Sequence, residues 1–155
     1  MQRPPEKFFY KALNSWNHEI RLVHLQPRVD RATIECKIMT ASLDEMPAFE
    51  ALSYEWGSTE SEQRQVLLNG NPIQVRENLW WALYHLRDLN QPRILWIDAL
   101  SINQDDIRER NCQVGQMDKI YSQATRVVAW VGREHTRETN ILLMMATLQS
   151  LFFKN

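Results

Sequence analysis

Polar and charged side chains are concentrated in residues 98–110, a loop followed by the first turn of a predicted helix. Apolar runs at 95–97 and 127–131 lie on either side of this loop and helix. A strand–loop–helix–strand unit places such side chains at the carboxyl end of a strand, where open α/β sheets usually hold their sites. The groups there that can bind or react are Asp98, Ser101, Asn103, Gln104, Asp105, Asp106, Glu109 and Arg110.

A buried ion pair is one use of these charges. If residues 106–123 form one helix, Arg110 falls inside its apolar stripe and Glu109 falls at the border. An inward arginine needs an acceptor, because an unpaired buried charge is very costly. Asp98, at the end of the preceding strand, is the best-placed partner. We therefore predict a structural Asp98–Arg110 ion pair, with a direct chemical role as the alternative.

Glu109 has two possible roles in this arrangement. A carboxylate on the rim of a cleft is the group that cleavage of a glycosidic bond requires. A glutamate in the first turn of a helix also interacts favourably with the helix dipole while remaining in solvent. The spacing alone leaves both roles open.

A second candidate cluster ends the predicted strand 49–57. Its hydroxyls and indole can seat a nucleotide by hydrogen bonding and stacking, or can plug the end of the sheet and bond to backbone. The loop amides of Asn103 and Gln104 have the same two possible uses. The candidate ligand-binding residues are Ser53, Tyr54, Trp56, Asp98, Asn103 and Gln104.

The elements that position these residues follow from apolar periodicity and turn residues. The predicted strands are 19–27, 32–42, 49–57, both arms of a hairpin over 64–75 that turns at Asn69, Gly70 and Asn71, 93–98, and 126–131. The predicted helices are 78–89, capped by Asn78, 106–123, capped by Asp105 or Asp106, and 137–153. Strands first and then alternating helices and strands predict an α/β fold. Its sheet is mixed and partly parallel, flanked by helices, with an antiparallel amino-terminal extension.

Bulk properties exclude several classes of function. The 155 residues are expected to form one domain, and the net charge of −1 argues against a nucleic-acid partner. No His or Cys pair has metal-ligand spacing, so no metal is expected. The amino terminus lacks the apolar core of a signal peptide, and the longest apolar run, 141–146, is too short to span a membrane. These features predict a cytoplasmic protein.

Five segments together resemble the heterokaryon incompatibility (HET) domain of filamentous fungi. They are ALSYEWG (51–57), NLWWALYHLR (78–87), LWIDALSINQDDIRER (95–110), QVGQMDKIY (113–121) and ATRVVAWVG (124–132). The resemblance covers about residues 49–133 in the order and spacing of the family. It implies a domain at the amino end of a longer protein that triggers regulated cell death in self/non-self recognition. Ser101 stands where the family usually has cysteine, which argues against a cysteine nucleophile.

The HET domain is in turn distantly similar to Toll/interleukin-receptor (TIR) domains, which implies a flavodoxin-like core. In that comparison the helix bearing Glu109 corresponds to the one with the catalytic glutamate of TIR enzymes that cleave NAD. The resemblance thus implies Glu109 as a catalytic residue and NAD as substrate, with no cofactor. The alternative is a non-enzymatic signalling module that self-associates or binds another signalling protein through Trp80, Trp81 and the last helix.

Overall fold

The amino-terminal part of the sheet begins with two paired strands. A computed structural model of the protein describes residues 8–30 and 32–132. In it, β1 (Glu19–Leu25) pairs antiparallel with β2 (Glu35–Ser42) along its whole length. Both strands were predicted from the sequence and are confirmed.

The predicted hairpin is also present, as β4 (Gln63–Leu68) and β5 (Asn71–Arg76). Its two-residue turn has positive φ at both positions, 50° at Asn69 and 78° at Gly70. This geometry matches the right-handed twist of the flanking strands, and asparagine and glycine tolerate it best. The side chain of Asn69 accepts a hydrogen bond of 2.9 Å from the backbone N–H of Ile38 in β2, which fixes the turn against the sheet.

The second half of the sheet is parallel. Strand β3 (Glu50–Tyr54) lies between β6 (Arg93–Trp96) and β7 (Arg126–Trp130), parallel to both. The whole sheet has the order β5-β4-β2-β1-β6-β3-β7, so the predicted mixed, partly parallel α/β fold is confirmed. The helices are α1 (Glu77–Leu86), α2 (Asp98–Ser101), α3 (Ile107–Gly115) and α4 (Met117–Gln123), and short 3-10 turns occupy Ser15–Asn17 and Leu43–Glu45.

Apolar side chains are buried on both faces of this sheet. Val23 and Leu25 of β1 pack in a cluster with Leu79, Ala82 and Leu83 of α1. The alternate residues of β1 join a second cluster, because successive side chains of a strand point to opposite faces. That cluster is Ile20, Leu22, Leu43, Phe49, Trp96, Ile102 and Ile120. Each fully buried side chain of this size stabilises the fold by about 1.5–3 kcal/mol.

Helix α1 differs from its prediction at both ends. It begins after Arg76, and Asn78 does not cap it: the Asn78 amide donates to the carbonyl of Glu55 and accepts from the indole N–H of Trp130. The helix ends at Leu86, three residues early. The guanidinium of Arg87 there donates to the Thr33 carbonyl at 2.8 Å, which connects the end of the helix to the chain before β2.

The predicted helix over 106–123 is two helices. Asp106 is its amino-terminal cap, as predicted, and accepts from the backbone N–H groups of Arg108 and Glu109 at 3.0 and 3.1 Å. Gln116 then separates α3 from α4. The predicted helix 137–153 lies outside the described residues.

Candidate functional site

A cleft of about 380 Å³ opens beside the carboxyl end of β3 and the start of α2. Its wall contains the rings of Phe8, Tyr10, Tyr54 and Trp56. The polar side chains of the wall come from the β4–β5 hairpin and from the loop after α2, and they are Gln63, Gln74, Arg76 and Gln104. An apolar base with a few polar groups is the ordinary composition of a small-molecule site.

Trp56 is held in this cleft from two sides. Its indole N–H donates to Asp98 Oδ2 at 3.0 Å. The guanidinium carbon of Arg76 lies 5.2 Å from the centroid of its ring, within cation–π range. The indole therefore has a fixed orientation, set by one carboxylate and one cation.

Asp98 is a mostly buried carboxylate at the start of α2. Burial raises its pKa, while hydrogen bonds from Trp56, the Ala99 N–H and Tyr54 oppose that rise. The Ala99 N–H lies 2.7 Å from Asp98 Oδ1. Burial, together with the charge of Asp98, raises the pKa of the Tyr54 hydroxyl. These contacts make Asp98 a positioning residue for Trp56 and Tyr54.

Four of the six predicted ligand-binding residues come together here, three in the cleft wall and the fourth, Asp98, beside it. Tyr54, Trp56 and Gln104 line the cleft, and the Gln104 amide donates to the Asp98 carbonyl at 3.0 Å. Ser53, 6% exposed on β3, is absent from the wall described above. Asn103 also lies outside it, and its side chain accepts from the Asp105 N–H at 3.3 Å.

Glu109 lies in a different environment from the predicted rim. Its carboxylate pairs with the guanidinium of Arg21 on β1 through both oxygens and accepts from the Asn103 N–H at 2.8 Å. It borders a separate cavity of about 260 Å³ with Cys112 and Gln113. Glu109 and Trp56 therefore do not face a common cavity among the described residues.

The predicted Asp98–Arg110 ion pair is wrong. Within residues 8–30 and 32–132, neither side chain takes part in a salt bridge, and Arg110 is exposed. The error lies in the position of the predicted apolar stripe. Helix α3 buries Gln113 and directs Glu109 to Arg21, while the apolar Val114 is 54% exposed.

Sequence reasoning missed Arg21, Tyr10 and Arg76. Arg21 is 1% exposed and also donates to the carbonyls of Ser101 and Lys11, so it holds the loop after α2 and the amino-terminal segment together. The Tyr10 hydroxyl donates to the Leu100 carbonyl at 2.9 Å. The only sequence signal for Arg21 was a charged residue between the apolar residues Ile20 and Leu22.

A second surface feature is formed by Trp81, Tyr84, His85 and Trp130, which we name the aromatic strip. The His85 and Trp130 rings stack at 5.3 Å, and those of Trp81 and His85 lie 6.1 Å apart. Trp80 is not part of it: this indole is 8% exposed and packs into the core, so the predicted partner-binding role does not fit its position.

Comparison with known proteins supports the resemblance seen in the sequence. Residues 49–152 match the family described as heterokaryon incompatibility protein (HET). This match covers more than half of the chain, including the cleft residues of β3 and α2. The chain belongs to the heterokaryon incompatibility family. The predicted membership is thereby confirmed.

One relative of this HET chain is heterokaryon incompatibility protein 6, OR allele, from Neurospora crassa. The two are 38% identical over an alignment 134 residues long that covers 78% of this chain and 20% of the relative. The chain thus spans about a fifth of the length of that protein. No solved structure matches the HET chain.

Ser101, where the family resemblance implies a cysteine, lies in the interior of this HET chain. Ser101 is fully buried, and its hydroxyl accepts from the backbone N–H of Ile97 at 3.1 Å. In residues 8–30 and 32–132, no three His, Cys, Asp or Glu side chains lie close enough to hold a metal ion. No helix in that same part has the length and apolar character needed to cross a bilayer.

Proposed function

We propose that this chain is an effector domain of heterokaryon incompatibility and triggers regulated cell death when unlike fungal cells fuse. Membership of the HET family supports this, as does the relative that is named a heterokaryon incompatibility protein. The family match over residues 49–152 includes β3, the β4–β5 hairpin and the loop after α2, which form most of the cleft wall.

We propose further that a small molecule bound in the Tyr54–Trp56 cleft controls this effector. The main support for this proposal is that Tyr54, Trp56 and Gln104 line one cavity, which is large enough for a nucleotide fragment. The indole of Trp56 is already fixed by Asp98, so little side-chain freedom is lost when a flat ring packs against it. NAD, suggested by the TIR similarity, is the first ligand to test.

Binding has more geometric support than NAD cleavage. Departure of nicotinamide needs a carboxylate beside the developing ribosyl cation. Among the described residues of the cleft wall there is no Asp, Glu, His or Cys. The carboxylate of Asp98 accepts from the indole of Trp56 and is not part of that wall, and the carboxylate of Glu109 is bound to Arg21 at the other cavity.

The rival function is self-association through the aromatic strip without any ligand. Aromatic residues are enriched at protein interfaces, and His85 of the strip is exposed. Trp130 also sits at the end of β7, an edge position in the described sheet order. This surface is the specific observation that favours an interaction module.

Induced expression in a filamentous fungus, scored by cell viability, separates the two functions. We expect Trp56→Ala to abolish killing and His85→Ala to leave it intact, with circular dichroism showing that both variants fold. Purified wild-type protein is incubated with NAD in parallel, and bound ligand and released nicotinamide are measured. Killing lost only in His85→Ala, with concentration-dependent association of the wild type, would instead establish the interaction module.

A further inference from the structure

Arg76 is the charged side chain of the cleft wall within the described part of the chain. It ends β5 and directly precedes α1, so a strand and a helix both fix its backbone. Every other described wall residue is neutral, with glutamines and aromatic or aliphatic side chains around it. The cleft therefore combines one positive charge with flat rings.

This cation has no carboxylate partner among the described residues. One nitrogen of Arg76 donates to the Gly57 carbonyl at 3.0 Å, and the guanidinium lies over Trp56. None of the salt bridges in this part of the chain includes it. A guanidinium carries five N–H donors in a planar fork, so a single carbonyl leaves donors for a ligand.

Arg64 also lies over tryptophan rings, but unlike Arg76 it has a carboxylate partner. Its guanidinium carbon lies 4.8 Å from the Trp80 ring and 5.0 Å from the Trp81 ring, a contact of the same kind. Arg64 also pairs with Glu77 at 3.2 Å, and it lies outside the cleft wall. Arg76 keeps the aromatic contact and has no such anion beside it.

We propose that Arg76 recognises an oxyanion on the cleft ligand, and that this ligand is a flat ring carrying a phosphate or a carboxylate. The inference rests on the proposed cleft function and adds the chemical class of the ligand. The ring packs against Trp56 while the oxyanion takes the donors of the guanidinium. Charge-assisted pairs of this kind are roughly twice as strong as neutral hydrogen bonds and can be bidentate.

Two pairs of probes test the proposal by calorimetric titration of the full 155-residue chain. Nicotinate and nicotinamide share a ring and differ in a carboxylate, and AMP and adenosine differ in a phosphate. We expect wild type to bind the anionic member of at least one pair about tenfold more tightly or better. The responding pair then distinguishes a phosphate from a carboxylate ligand.

Arg76→Gln should bring the two members of that pair to similar affinity, and Arg76→Lys should keep part of the preference. Arg64→Gln, which removes the other arginine that lies over a tryptophan, should leave the preference unchanged. Thermal unfolding of each variant confirms that it is folded at the temperature of titration.

Three results would overturn the proposal. Equal binding of neutral and anionic probes by wild type defeats the charge recognition but leaves a ligand-binding cleft standing. A preference for the anion that survives in Arg76→Gln assigns it to another residue. Failure of all four probes to bind wild type defeats both this inference and the cleft part of the proposed function.

Discussion

At the scale of single residues, Glu109 neutralises an arginine that has almost no contact with water. The Arg21 side chain is 1% exposed and that of Glu109 is 10% exposed. Removing one partner of such a pair leaves an uncompensated buried charge. We expect Glu109→Gln to lower the free energy of unfolding by about 3 kcal/mol, measured by urea denaturation.

Glu77→Gln is the matched control for this prediction. Glu77 pairs with Arg64, and both side chains are about a third exposed, at 37% and 34%. An exposed pair contributes at most about 1 kcal/mol, so this variant should remain close to wild type. If Glu109→Gln kept wild-type stability and lost a nicotinamide-releasing activity, Glu109 would be catalytic, as the TIR similarity implies.

Asp98 gives a prediction about pH. Burial raises its pKa above the ordinary value of 3.8, so the folded chain keeps a proton that the unfolded chain has lost. The contribution of Asp98 to stability therefore falls as pH rises from about 4 through the raised pKa. Asp98→Asn cannot titrate, so its free energy of unfolding, relative to wild type, should rise over this range.

Urea denaturation of both proteins at several pH values between about 4 and 8 measures this difference. Comparing them cancels Glu50, whose pKa is lowered chiefly by its bond with Arg93 and whose effect on stability has the opposite sign. A difference that stays constant or falls with pH would show that Asp98 is not stabilised in its protonated form.

The sequence predicted the candidate site only where contacts are local. Tyr54 and Trp56 follow from the end of a strand, and Asp98 and Gln104 follow from the loop after the next parallel strand. The partner of Glu109 could not be found in this way, because Arg21 lies 88 positions away and is reached only through the sheet. Arg76 was missed because its place in the cleft depends on how the hairpin folds back.

At the scale of elements, two glycines should respond in opposite ways to the same change. Gly70 has a φ of 78° in the hairpin turn, and an added Cβ would meet nothing within 4 Å. Gly70→Ala should therefore cost only the backbone strain, about 1 kcal/mol. Gly115 ends α3 with similar open space and no positive φ, so Gly115→Ala should stabilise by about 0.5 kcal/mol.

Thermal and urea unfolding of the two alanine variants test this contrast. Both lose the flexibility of glycine in the unfolded chain, so that effect cancels between them. If Gly70→Ala were as stable as Gly115→Ala, the turn at 69–70 would have relaxed to a conformation without positive φ.

Helices and strands with a clear periodicity of apolar residues were predicted well, and the ends of these elements were predicted less well. The strands and the hairpin turn follow from alternation and from the Asn69–Gly70 pair. The early end of α1 depends on Arg87, whose acceptors lie in the distant chain before β2. The break at Gln116 left only Gly115 as a local signal. Helix α3 turns the polar side chains of Gln113 and Glu109 inward, which an apolar stripe cannot predict.

At the scale of the whole molecule, the sheet includes two strands that lie outside the family match. The match begins at residue 49, yet β1 and β2 occupy the centre of the sheet order. Strand β1 pairs with β2 on one side and with β6 on the other. It thereby joins the hairpin half of the sheet to the parallel half, an order that alternation along single strands cannot reveal.

A chain beginning at Phe49 should therefore fail to fold, although it contains the whole family match. It would lose the buried residues of β1, among them Ile20 and Val23, and would expose the edges of β4 and β6. It would also leave the carboxylate of Glu109 without Arg21. We expect loss of the cooperative urea transition and of the β-sheet signal in circular dichroism. A chain lacking only residues 1–7 is the control, because it keeps every contact described above. A cooperative transition at the wild-type midpoint from the shorter chain would show instead that the parallel half folds without β1.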